Sequence, residues 1–142
     1  MIPLLALGCG GEAAEVTGVA GPVLHGCTAN GYVDRRAPTA SRSVFYGGAA
    51  DAGALSYAPA CMVIAPGQTV RFDGLERGTF SVHPLVPGPV QGVDAGALPN
   101  NPIVRADDGR AAVEVRFDAA GVYPYHCEYH QPSMAGVIVV RP

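Results

Sequence analysis

Cys127, His130 and Met134 stand within eight residues of one another in "YHCEYHQPSMAGVIVV" (125–140), immediately before an apolar run. A thiolate, an imidazole and a thioether on one short segment form a set of soft donors. Structural zinc takes four Cys or His ligands, whereas a weak thioether suits copper, above all copper that alternates between two oxidation states. Two His and one Cys in a trigonal arrangement, with a distant axial Met, make a blue-copper electron-transfer site, so this set lacks one histidine.

His83, at the end of "TFSVHP" (79–84), is the candidate for the missing ligand, because strand pairing in a sandwich can bring a distant residue beside the last hairpin. His25 falls in an N-terminal stretch without clear structure. His126 alternates away from Cys127, and both are read as solvated histidines. Taken singly, His83 could be structural, Met134 core filler and Cys127 an inert buried thiol; their joint occurrence at this spacing is the argument for a metal site.

The elements that must position these groups are strands. "RSVFYG" (42–47), "CMVIAP" (61–66), "TVRFDG" (69–74), "TFSVHP" (79–84), "AAVEVRFD" (111–118), "VYPYHCEY" (122–129) and "GVIVVRP" (136–142) are short runs of strand character separated by Gly and Pro. The series predicts an all-β fold, an antiparallel Greek-key β-sandwich forming a single domain. Val113, Val115 and Phe117 alternate with Glu114 and Arg116, as on a strand with one wet face. The same alternation puts Tyr123, Tyr125 and Cys127 on the inward face of their strand. "APGQT" (65–69) reads as a type II turn with Pro66 and Gly67 at its centre. Residues 18–41 carry a short helix or only a loop tied down through Cys27. Residues 84–110 form a long Gly/Pro-rich excursion of the kind that is more often functional than decorative.

Composition bounds the rest. A chain of 142 residues with 49% hydrophobic and 15% charged residues, 19 Gly and 13 Pro describes a loop-rich globular protein. A formal net charge of −3 without a basic block argues against nucleic-acid binding. The start, "MIPLLALGCGGEAAEV", resembles a bacterial lipoprotein signal in which Cys9 becomes the lipid-anchored N-terminus, although no basic segment precedes the apolar stretch. On that reading residues 1–9 are a signal remnant, 10–41 a linker and N-terminal extension, and 42–142 the domain. The protein would then lie on a membrane surface. With Cys9 given to lipid and Cys127 to the metal motif, Cys27 and Cys61 remain as a pair, and a disulfide there implies an oxidising compartment. Two free buried thiols are the other possibility.

"SVHPL" (81–85), "GVYPYHCEYHQPSM" (121–134) and the following "AGVIVV" together resemble the cupredoxins of the plastocyanin and azurin type. "MVIAPGQTVRF" (62–72) is similar to the strand pair "xIxxGxTVxF" of that family, so the resemblance covers roughly residues 42–142. It implies His83, Cys127 and His130 as equatorial ligands and Met134 as axial ligand of one type 1 copper ion. It further implies electron transfer through the edge of His130, near Pro132 and Ala135, to transient redox protein partners. The expected protein is monomeric and located in the periplasm or cell envelope. One departure concerns the residue after the upstream ligand: many relatives carry Asn there, while Pro84 has no N–H to offer the Cys127 sulfur. Copper storage or delivery would use the same ligands. A multicopper oxidase or nitrite reductase is disfavoured by the length and by the lack of any His-x-His, so no enzymatic activity is expected.

Overall fold

The computed structural model describes residues 18–142, so Cys9 and the anchor reading that depends on it lie outside the described residues. Two sheets face each other across one apolar core. In chain order the strands are β1 (Val33–Asp34), β2 (Ser43–Tyr46), β3 (Tyr57–Ala58), β4 (Cys61–Ile64), β5 (Gln68–Asp73), β6 (Leu85–Pro87), β7 (Ala112–Phe117), β8 (Gly121–Cys127) and β9 (Ala135–Val140). The first sheet runs β1-β4-β9-β8-β6 and the second β3-β2-β5-β7.

The all-β sandwich agrees with the sequence reading, but the sheets are mixed. β4 pairs with β9, β2 with β5 and β1 with β4 in parallel, while β8–β9, β6–β8, β5–β7 and β2–β3 are antiparallel. An alternation of inward and outward side chains is the same in both directions, so pairing sense left no mark on the pattern. β7 follows its predicted alternation, with Val115 and Phe117 buried and Glu114 and Arg116 exposed. At the turn before β5, Gly67 has φ +85° and Gln68 N–H donates to Ala65 C=O at 3.2 Å, the type II geometry that requires glycine there.

Val44, Tyr46, Phe72, Phe117, Tyr123, Tyr125 and Ile138 fill the space between the sheets. A second cluster lies on the outer face of the first sheet, where Cys27 and Tyr32 cover Val63, Val137 and Val139. β9 is therefore buried at every residue, which explains why "AGVIVV" is continuously apolar. Residues 18–32 form a covering loop without a helix. A Cys27–Cys61 disulfide fixes this loop to β4, and Val19 and Tyr32 bridge each other within it. The 84–110 excursion is held down as well: Leu85 bridges Ala106, and Asn101 Nδ2 donates to Pro124 C=O at 2.8 Å.

Candidate metal centre

The last hairpin builds most of the site locally. Tyr123 and Tyr125 point into the core, as period-2 alternation requires, and deliver the Cys127 side chain to the buried end of β8. A short 3-10 turn over Glu128–His130 follows. Met134 N–H donates to His130 C=O at 2.9 Å, and Cys127 N–H donates to Met134 C=O at 2.9 Å, closing the loop upon itself before β9 begins. Met134 is fully buried in the same cluster as Cys127.

His83 arrives by a different route from the one its sequence implies. "TFSVHP" is a turn and not a strand: Val82 and His83 N–H groups both donate to Thr79 C=O, at 3.2 and 2.9 Å. The alternation of Phe80 and Val82 mimics a strand, but Phe80 anchors the turn in the core, stacked on Tyr46 at 5.2 Å, while Val82 is exposed. Pro84 excludes the helical region for His83 and releases the chain into β6. Strand pairing then does what was expected of it, because Leu85 sits opposite Cys127. Pro84, which has no N–H to give, accepts the Glu128 N–H at its carbonyl at 3.1 Å and so ties the segment of His83 to that of Cys127.

His83, Cys127 and His130 thus come together, with their donor atoms all within 4.8 Å of one another. Cys127 Sγ lies 3.9 Å from His83 Nδ1 and 3.4 Å from His130 Nδ1. The two imidazole rings are 5.0 Å apart and tilted by 43°. Cys127 and His83 are buried, and His130 is half-buried. Burial pushes the Cys127 thiol up, against the opposing pull of the Tyr129 and His130 backbone N–H groups. His83 is pushed below the ordinary imidazole range, first by burial and then by neighbouring His130. Both shifts favour the neutral side chains.

The other two histidines need correcting. His126 does face away from the core, as predicted, but it is buried, and its Nδ1 lies 2.9 Å from Gly88 C=O. His25 is not in an unstructured stretch: it is half-buried, with Nδ1 2.9 Å from Gly136 C=O and Nε2 accepting the Val90 N–H at 3.0 Å. Neither falls in the group formed by His83, Cys127 and His130. Sequence reasoning also missed the support behind His83, namely Gly47 and Tyr46, whose ring meets the imidazole edge-on at 6.0 Å. The Gly-Gly pair directly after β2 was the available signal.

Residues 46–141 match the family model of copper binding proteins, plastocyanin/azurin family. The chain belongs to that family, and copper is its metal. Plastocyanin of Chlamydomonas reinhardtii is 33% identical over 96 residues, covering 65% of this chain and 63% of that relative. Plastocyanin of Scenedesmus fuscus is 33% identical over 96 residues, 65% of this chain and 93% of the relative. Among solved structures, pseudoazurin from Methylobacterium extorquens AM1 is similar at 20% identity, with 70% of this chain, 74% of that chain and a TM-score of 0.47.

The donor set fits a small, soft metal ion. Bonds of about 2.0 Å to imidazole and about 2.3 Å to thiolate, spread by about 120°, place sulfur and nitrogen about 3.7 Å apart. The two sulfur–nitrogen separations, 3.9 and 3.4 Å, bracket that value. His83, Cys127 and His130 would hold the ion with little rearrangement, and the buried Met134 on the same loop is available as a weak fourth ligand.

Proposed function

We propose that the protein is a type 1 copper protein that carries single electrons between redox partners. The observation behind this reading is one thiol and two imidazoles already gathered within 4.8 Å, with a buried methionine on the same loop. Copper, when bound, supplies a one-electron couple. The chain supplies the rest: the Cys127 thiolate and the His83 and His130 imidazoles would hold the ion, and the Met134 thioether would serve as a weaker fourth ligand. Because Cys127 and Met134 are buried in the core and His83 is buried beside it, their positions change little when the charge of the site changes. His130 is the least buried of the four, and exposed Tyr129 and Val82 are the chain neighbours of the two histidine ligands. That end of the sandwich is the proposed docking face for transient protein partners.

We further propose export to the cell envelope, supported by the Cys27–Cys61 disulfide, which belongs to oxidising compartments. A lipid on Cys9 would hold the protein on the membrane surface, and mass spectrometry of the membrane fraction tests it.

The decisive experiment adds Cu(II) to the metal-free protein and records the visible spectrum. An intense thiolate-to-copper band that disappears in Cys127→Ser and is lost or displaced in His83→Ala supports the ligand set. Failure of the wild type to show it overturns the proposal. Reversible bleaching and recovery of the band with slow copper release separates electron transfer from copper delivery, which needs rapid exchange.

A further inference from the structure

"VLHGC" (23–27) forms a turn in which Cys27 N–H donates to Leu24 C=O at 2.8 Å, and His25 adopts φ +52°. That backbone region opposes an L side chain unless the surroundings hold it there. Here two anchors do. The disulfide fixes Cys27 to β4, and the His25 ring is clasped at both nitrogens. Since Nε2 accepts an N–H, it carries no proton; since Nδ1 faces a carbonyl, it carries one. Only a neutral imidazole in that one tautomer satisfies both partners.

The groups it joins adjoin the metal-binding loop. Val90 belongs to the segment after β6, and its neighbour Gln91 donates its N–H to Gln131 Oε1 at 2.7 Å, between His130 and Met134. The same segment is fixed to β8 by Gly88 N–H donating to Pro124 C=O at 2.9 Å. Gly136 lies in β9, two residues after Met134.

We propose that His25 is a positioning residue for the copper loop: from its disulfide-anchored turn, the neutral imidazole ties the 88–91 segment to β9 and thereby steadies the loop carrying His130 and Met134. The inference rests on the copper reading of that loop. Protonation replaces the acceptor facing Val90 N–H by a donor and opens the clasp. His126, on β8, is the titratable group that faces His25, and its charge opposes that of a protonated His25; the Gly136 and Tyr125 carbonyls favour protonation, and burial, the largest influence, disfavours it.

The test compares wild type, His25→Ala and His25→Gln, the last offering one N–H and one acceptor from a single side chain. Backbone strain at position 25 is similar in all three. In the metal-free full-length chain, His25→Ala raises Val90 amide exchange about tenfold, and His25→Gln restores most of the protection. In the copper-loaded chain, release of copper to EDTA, followed through the visible band, is faster in His25→Ala. For the wild type it accelerates further below about pH 6.5, a component that His25→Gln lacks relative to the wild type. Val90 exchange within twofold of wild type in His25→Ala, or identical pH profiles for wild type and His25→Gln, overturns the proposal. A wild type that forms no visible band overturns the copper reading instead, and Val90 exchange still decides the clasp.

Discussion

Gly47→Ala offers a direct test of how the fold sets the position of His83. Gly47 follows β2 with φ +66°, and Gly48 follows it with φ +86°. An L residue in this region costs about 1–2 kcal/mol, so both positions carry a similar backbone penalty when changed to alanine. They differ in their surroundings. A Cβ at Gly47 would lie 3.0 Å from Gly78 Cα and 3.2 Å from His83 Cδ2, whereas at Gly48 it meets nothing within 4 Å. Carbon atoms pack best at about 3.5–4.0 Å. The ring or the backbone must therefore yield by several tenths of an ångström, with overpacking adding about 1–3 kcal/mol. Gly48→Ala should lower the unfolding free energy of the metal-free protein by about 1–2 kcal/mol and leave the copper spectrum unchanged. Gly47→Ala should cost about 2–5 kcal/mol and shift or weaken the thiolate-to-copper band. Urea unfolding and visible spectra of both variants give the comparison. Identical spectra for the two would refute the claim that Gly47 is the stop against which His83 is seated. Wild-type stability in both would refute the backbone term.

Three further outcomes follow from the same structure. Removing the disulfide by Cys27→Ala with Cys61→Ala, across a sequence separation of 34, should cost about 3–4 kcal/mol, read as a lower urea midpoint; a loss below about 1 kcal/mol would mean the covering loop is held by packing alone. His83 and His25 both have folded pKa values below the ordinary 6.5, chiefly through burial, so the unfolded chain binds their protons more readily. Stability of the metal-free protein is accordingly full above that pH and falls as pH drops below it; urea midpoints equal at pH 8 and pH 5 would contradict this. Tyr57→Phe removes a buried hydroxyl that has no hydrogen-bond partner among the described residues, and should be neutral or stabilising by about 1 kcal/mol in thermal unfolding. Marked destabilisation would reveal a partner for that hydroxyl.

What could be read from the sequence was what neighbouring residues decide among themselves. The inward face of β8 follows from alternation, and the Cys127–Met134 loop holds three donor residues within eight positions, so both were legible. His83 was found as a residue but placed on the wrong element: Phe80 and Val82 alternate like a strand, yet the Thr79 carbonyl collects two N–H groups and makes a turn. The burial of His126 could not be seen, because its cover comes from Gly88, 38 positions away. The clasp at His25 joins residues 65 and 111 positions apart, and no local pattern encodes such a contact. The parallel pairing of β4 with β9 was hidden for a different reason: both strands are buried on two faces, and continuous apolar runs carry neither register nor direction.

The division of labour in the site follows from this split between local and distant determinants. Cys127, His130 and Met134 share one loop whose backbone hydrogen bonds close within eight residues, so their mutual spacing survives small shifts elsewhere in the fold. His83 has no such local tie to them. Its distance to the thiol depends on the Glu128–Pro84 hydrogen bond, the Leu85–Cys127 pairing and the Gly47 backbone behind the ring. The first two come from the end of β8 and the third from the turn after β2, and weakening either support moves His83 while leaving Cys127, His130 and Met134 in place. Substitutions around His83 should therefore alter the colour and potential of the site before they abolish copper binding. Substitutions that break the Cys127–Met134 loop should release the metal outright.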